Sequence, residues 1–193
     1  MKKRFIVASA SPRRKELLSM TGYEFEIIPS DADETLPENM GAYEAVKELS
    51  KRKAFSVWEE NRDAVVLGCD TVVAYDDVIL GKPETEEEAE KMLLELSGKE
   101  HFVYSGVCIT DGKETRQFTG SAKVKFYNLS KETVKSYVAT KEPMDKAGSY
   151  GIQGIGSVLV ESIEGDYFTI VGLPLSETAR VLSEFGIKGK VEV

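Results

Sequence analysis

The chain has 193 residues, of which 41% are hydrophobic and 30% charged, and carries a formal net charge of −8. These proportions describe a folded globular protein with a heavily charged exterior, large enough to bury a core, and they exclude disorder. The negative balance also argues against nonspecific nucleic-acid binding, which needs a basic footprint to displace phosphate counterions.

No repeat, low-complexity tract or dividing linker interrupts the chain, so residues 1–193 read as one domain with room for two lobes around a cleft. The N-terminus starts basic, but its apolar run is too short for a signal peptide or a membrane span. Cys69 and Cys108 each lie in an apolar stretch with no partner at metal-ligand spacing, the pattern of buried free thiols in a reducing compartment. The expectation is a cytoplasmic protein with neither a membrane nor a nucleic-acid partner.

Residues 4–8 predict a buried strand, and Pro12 suits the first turn of a helix over 13–20 that stops at Gly22. A short strand over 25–28 ends at Pro29, and a long helix covers 42–60. Residues 64–74 are apolar and β-branched, as expected of a strand covered on both faces. Another strand-like stretch spans 77–80. Residues 85–96 form an amphipathic helix with Ala89, Met92, Leu93 and Leu96 on one stripe and Glu86, Glu87 and Glu88 in its first turn. Residues 102–110 and 115–126 predict a hairpin through Asp111-Gly112, and Ser130 caps a helix to about 140. A second hairpin is expected from 157–163 and 167–171 around Glu164-Gly165. A closing helix spans 174–185, and residues 188–193 are expected to add a last strand. Helices alternating with strands early, and hairpins later, predict an α/β fold with a mixed sheet.

Several residues sit where an inert protein would not put them. Ser9-Ala10-Ser11-Pro12-Arg13-Arg14 joins a strand end to a helix start, where free N–H groups and a partial positive charge favour an anion. Arginines in a first turn oppose the helix dipole unless an anion lies between; exposed arginines on a Ser-capped helix are the plainer alternative. Asp70 interrupts the run from Val65 to Val73. An uncompensated carboxylate there would cost several kcal/mol, so Asp70 is near a strand end, neutral, or paired with a cation. Gly68 shares its strand face and leaves room beside it. Lys53 falls on the stripe of Val46, Leu49 and Val57 and points inward, either snorkelling or directed at a phosphate or at Asp70. Gly81-Lys82-Pro83 pins a lysine in a turn. Asp31, Asp33 and Glu34 cluster in a loop of a kind that suits Mg²⁺ or Mn²⁺ or simply faces solvent.

Other chemistries drop out. His101 is the only histidine, so a histidine-rich zinc site is impossible. Neither a P-loop nor a dinucleotide fingerprint is present, and Gly148, Gly151, Gly154 and Gly156 do not match one.

Taken in order, Ser9 to Arg14, Asp70-Thr71-Val72-Val73, Gly81-Lys82-Pro83, Asp145 to Gly154 and Val171-Gly172-Leu173-Pro174 resemble the motifs of Maf proteins across nearly the whole chain. That family, first known for septum-formation inhibition, comprises nucleoside triphosphate pyrophosphatases. The resemblance implies an elongated, twisted mixed sheet flanked by helices with a central cleft, similar to the inosine triphosphate pyrophosphatase fold. It implies a cytoplasmic, often homodimeric enzyme that uses a divalent metal (Mg²⁺ or Mn²⁺) and cuts the α–β phosphoanhydride of a nucleoside triphosphate. By resemblance, Asp70 accepts the proton, and Ser9, Arg13, Arg14, Lys53 and Lys82 surround the triphosphate. Asp70 and Glu34 hold the metal.

The segment from Asp145 to Gly154 is similar to the branch that prefers dTTP and UTP, with Arg13, Thr71 and Gln153 at the positions important for substrate choice. A glutamine can meet both a donor and an acceptor on a uracil-like base, modified pyrimidines included. Ser105 stands where the family pattern expects threonine, with the hydroxyl retained. Two alternatives are a nucleotide-binding regulator of division without hydrolysis, and a pyrophosphatase acting on 7-methyl-GTP.

Overall fold

The computed structural model describes residues 3–37 and 39–193. Seven strands form one sheet in the order β2-β1-β3-β5-β6-β7, with β4 also paired to β3. They are β1 (Arg4–Val7), β2 (Glu26–Ile27), β3 (Ala64–Tyr75), β4 (Val78–Leu80), β5 (Glu100–Thr110), β6 (Thr115–Phe126) and β7 (Val160–Gly165). The β2-β1-β3 part is parallel, and every other pairing is antiparallel. The helices are α1 (Pro12–Met20), α2 (Ala42–Glu60), α3 (Glu86–Leu96), α4 (Lys131–Ala139), α5 (Tyr167–Val171) and α6 (Leu175–Glu184). Among the described residues no helix is long and apolar enough to cross a membrane.

Strand β3 organises the molecule because side chains alternate across it. Its even-numbered residues face α2, where Ile6, Val57, Ala64 and Val66 form one cluster and Ala42, Val46, Val72 and Ala74 another. Its odd-numbered residues face two larger clusters. Val65, Leu67 and Cys69 pack with Leu17, Leu173 and Leu182, whereas Val73 packs with Leu93, Phe126, Val134 and Tyr150.

Two glycines bring α2 onto the sheet. A Cβ on Gly68 would lie 2.2 Å from the Ser50 carbonyl oxygen and 2.5 Å from the Ala54 nitrogen, and one on Gly106 would lie 2.3 Å from the Val46 carbonyl oxygen. Gly68 therefore does not leave open room beside Asp70, as its sequence context suggests; the helix backbone occupies that room. Both free cysteines are buried in the sheet, as expected.

Two expected strands are not strands. Residues 167–171 are helical because Asp166 caps them, its Oδ2 accepting from the Thr169 N–H at 2.8 Å and its Oδ1 from the Phe168 N–H at 3.3 Å. Local capping overrides the β-branched composition. Residues 188–193 add no strand; there the Lys190 N–H donates to the Thr21 carbonyl at 2.9 Å. The Asp111-Gly112 turn forms as expected, with the Asp111 Oδ1 accepting from the N–H groups of Lys113 and Glu114, both at 3.0 Å.

His101 is 1% exposed. Its Nε2 lies 2.8 Å from the Tyr150 hydroxyl, its ring meets Phe126 edge-on, and its Nδ1 has no partner among the described residues. Burial lowers its pKa from 6.5 to about 4 because a second N–H and a charge would have no acceptor there.

Two outcomes follow from this packing. Gly68→Ala forces a Cβ into the α2 backbone, a cost of roughly 1–3 kcal/mol that lowers Tm by roughly 2–12 °C in a thermal melt. Between pH 6.5 and about 4 the unfolded chain binds a proton at His101 that the folded chain excludes. Stability therefore falls as pH drops through that window, by roughly 3 kcal/mol from this group. Denaturation at pH 7 and pH 4.5 measures it, and His101→Leu flattens the decline.

Candidate active site

Strand β1 pairs with β3 only as far as Val7 opposite Leu67, and β4 begins its pairing at Val73. Between them β3 has no strand partner on that side, and the β1–α1 turn swings away after the Ala8 N–H bonds the Leu67 carbonyl at 2.8 Å. A cleft of about 1070 Å³ opens at this gap, at the top of the size range usual for small-molecule sites. Ser9, Arg13, Arg14, Glu34, Lys53, Asp70, Thr71, Lys82 and Gln153 all line it. The fold thus brings together Glu34 and the residues of the 9–14 loop, β3, the Gly81-Lys82 turn and the segment before β7, whereas Asp31 and Asp33, grouped with Glu34 in the sequence, do not line the cleft.

Asp70 sits in the middle of β3 and not at its end. Its carboxylate is compensated by Lys53, whose Nζ donates to Oδ1 at 2.6 Å, and each side chain is 13% exposed. Lys53 also meets Glu34 Oε1 at 2.9 Å. Burial works against the Lys53 charge, but Asp70 and then Glu34 outweigh it and hold the ammonium above its ordinary pKa. Arg52 places Glu34 there, since its Nη1 donates to the carbonyls of Asp33 at 3.0 Å and Thr35 at 2.8 Å. Asp33 turns its own carboxylate onto the Thr35 N–H at 2.9 Å.

Asp70 and Glu34 offer only carboxylate oxygens, the donor set that hard divalent cations prefer. Among the described residues no group of three or more His, Cys, Asp and Glu side chains is placed to hold a metal. The pair therefore fits an ion that completes its shell with phosphate oxygens and water, as Mg²⁺ commonly does, and not a closed protein cage.

The two arginines of the 9–14 loop have different surroundings. Arg14 donates from Nε to the Gly172 carbonyl at 2.9 Å, from Nη1 to Ser9 Oγ at 3.0 Å and from Nη2 to Thr71 Oγ1 at 3.1 Å. Ser105 gives its proton to the Thr169 carbonyl at 2.8 Å, so Thr71 is the donor in its 2.7 Å contact with Ser105, which is shorter than its 3.3 Å approach to the Gly172 carbonyl. Arg14, Thr71, Ser105 and Thr169 form one directed chain across the seam between the two large apolar clusters. Arg13 makes no hydrogen bond or ion pair with any described residue. Ser11 begins α1 without a side-chain cap, so the helix's first N–H groups are not capped by it at the cleft mouth.

Lys82 follows β4, and its turn is tied to the far wall by the Gly148 N–H bonding the Gly81 carbonyl at 3.1 Å. Gln153 is exposed on that wall. Glu142, Asp145, Lys146 and Tyr150 also line the cleft, and sequence reasoning did not single them out as site residues. Lys146 Nζ bonds Asp145 Oδ1 at 2.5 Å and the Glu142 carbonyl at 2.7 Å. Five cationic side chains (Arg13, Arg14, Lys53, Lys82 and Lys146) face one cavity in a protein of net charge −8, an arrangement that suits a polyphosphate.

Known proteins resemble this chain over nearly its whole length. Two Bacillus cereus proteins, each named dTTP/UTP pyrophosphatase, are 49% and 50% identical over 185 residues, covering 96% of this chain and 91% and 97% of their own. A protein of the same name from Bacillus thuringiensis is 50% identical over 96% of this chain and 97% of its own. The solved Staphylococcus aureus Ham1 protein overlaps 65% of this chain and 73% of its own, with 15% identity and a TM-score of 0.47. That likeness is partial, and the fold class rests on the sheet order itself. The model of the Maf-like protein family matches residues 4–185, and the chain belongs to the Maf family.

Proposed function

We propose that the protein hydrolyses dTTP and UTP to the nucleoside monophosphate and pyrophosphate. The observation that carries this reading is the Glu34–Lys53–Asp70 constellation, placed in the same cleft as the 9–14 loop. The near-50% identity to proteins named dTTP/UTP pyrophosphatase supplies the substrate class.

In this reading Asp70 accepts a proton from the attacking water, whose oxygen forms a bond to the α-phosphorus as the α–β bridging bond breaks. Pyrophosphate leaves with the bridging oxygen. Lys53 orients the Asp70 carboxylate and sets a positive charge beside the phosphates. Arg13, Lys82, Ser9 and the α1 N-terminus hold the anionic tail. Asp70 and Glu34 are the residues that would hold a divalent cation, which supplies charge neutralisation on the phosphates when bound. Transferring phosphoryl groups is helped chiefly by such positioning and electrostatics. With this reading go a homodimeric state and a cytoplasmic location, both resting on the family resemblance.

Pyrophosphate release from a panel of triphosphates with Mg²⁺ or Mn²⁺ is the direct test. UTP and dTTP turn over fastest; no release from any nucleotide, or a preference for 7-methyl-GTP, overturns the assignment. Asp70→Asn lowers kcat by about 10²–10⁴-fold with the fold retained, and release at the wild-type rate would remove Asp70 from the mechanism. The two arginines separate in the same assays. Arg13→Ala raises KM by roughly tenfold or more without changing Tm, whereas Arg14→Ala also lowers Tm because it removes three internal hydrogen bonds.

A further inference from the structure

The segment that carries Gln153 is gripped from both sides. Glu142 Oε2 accepts from the Ile155 N–H at 2.8 Å, and its Oε1 accepts from the Gly156 N–H at 2.9 Å and from the Tyr137 hydroxyl at 2.8 Å. The Tyr137 oxygen in turn accepts from the Gly151 N–H at 3.0 Å. One carboxylate and one phenol thereby hold the backbone before and after Gln153. Burial works against the Glu142 charge, yet the Gly156 and Ile155 N–H groups and Tyr137 hold its carboxyl below its ordinary pKa, so it remains an acceptor near neutral pH.

The same grip accounts for Gly154 and Gly156, two of the glycines that match no nucleotide fingerprint. A Cβ on Gly154 would stand 2.3 Å from Glu142 Oε2, one on Gly156 would stand 2.5 Å from the Tyr137 hydroxyl, and one on Gly151 would stand 2.7 Å from Lys146 Cε. Side chains at 154 and 156 would push the clamp off the backbone, and one at 151 would meet Lys146. Spacing in this stretch follows the two clamping side chains, not a phosphate.

Gln153 is exposed and makes no hydrogen bond to any described residue. Its amide offers one donor edge and one acceptor edge on a two-fold terminal torsion. Turned over, the same amide complements cytosine as well as uracil. Glutamine chemistry alone therefore does not choose between the two bases, and the choice depends on where the backbone holds the amide.

We propose that Glu142 and Tyr137 are positioning residues for base selection, holding segment 151–156 where Gln153 meets a uracil-like edge. The inference rests on the proposed hydrolysis of UTP and dTTP with Gln153 at the base.

The test compares kcat and KM for UTP and CTP in the wild type, Glu142→Gln, Tyr137→Phe and Gln153→Ala, with folding checked by circular dichroism. Glu142→Gln cannot accept at both ends and leaves a backbone N–H unpaired. Tyr137→Phe removes the Gly151 acceptor and the hydroxyl that donates to Glu142, leaves the Glu142 contacts to the Ile155 and Gly156 N–H groups, and decides the matter should Glu142→Gln not fold. In both clamp variants the UTP-over-CTP ratio of kcat/KM falls about tenfold, mainly through the KM for UTP. Their kcat at saturating UTP stays within about threefold, and inhibition by tripolyphosphate is unchanged. An unchanged ratio in folded Tyr137→Phe, or a loss of kcat shared equally by both nucleotides, overturns the proposal. Gln153→Ala separates the levels. If it leaves the ratio intact, or if the wild-type ratio is near one, the underlying base reading has failed; if it alone collapses the ratio, only the clamp has failed.

Discussion

The short ion pair between Lys53 and Asp70 depends on how closely a helix can lie on a sheet. Side chains on both surfaces normally hold the backbones apart, and an inward lysine would then need its full length to reach a strand. Here Gly68 and Gly106 remove the spacers, and the α2 backbone rests on β3 and β5. A carboxylate in the middle of a buried strand becomes tolerable only with a cation at that distance, because stranding either charge costs about 3–5 kcal/mol. The pair also faces the gap where β1 has ended and β4 has not begun. Removing a strand partner on one side and supplying a cation from above produces a charged, accessible carboxylate on rigid secondary structure. A reactive group held this way needs little reorganisation when substrate arrives.

The opposite face solves a related problem. Two apolar clusters share the odd-numbered side of β3 and meet near Thr71. The polar chain from Arg14 through Thr71 and Ser105 to the Thr169 carbonyl runs along that seam with each buried hydroxyl satisfied. Because Ser105 is fully buried and its proton is committed, a serine supplies what the chain needs at this position. Arg14 also fastens the 9–14 loop to the Gly172 carbonyl, so both walls of the cleft are referenced to one guanidinium.

Much of this was legible from the residues. The buried strand around Asp70 and the long α2 follow from apolar periodicity, and the inward lysine follows from the helical wheel. What fixed Asp70 among the open readings was tertiary: only the register of α2 over β3 distinguishes a cation partner from a strand end. Gly68 misleads for the same reason, since a missing side chain does not say what fills its place. Tyr167 to Val171 misleads by composition, and the Asp166 cap two hydrogen bonds long decides the matter. Glu142 and Tyr137 escaped because their partners are backbone N–H groups, which carry no signature in the side-chain alphabet. Their only trace is the pair Gly154 and Gly156.

Adjacent basic residues give the clearest lesson about charge clusters. Neighbours on a helix point about 100° apart, so two consecutive cations rarely serve one ligand. In α1, Arg14 spends its donors inside the protein, while Arg13 lines the cleft without an internal hydrogen bond or ion pair among the described residues. In α2, Arg52 binds the carbonyls of Asp33 and Thr35, and Lys53 takes Asp70 and Glu34. Each pair thus divides into a strut and a charge in the site, and the strut positions what the charge works with: Arg52 delivers the loop that carries Glu34, and Arg14 braces the turn from which Arg13 projects. A substitution at either strut should then disturb the site through geometry, and one at its neighbour through charge, although the two stand side by side in the sequence.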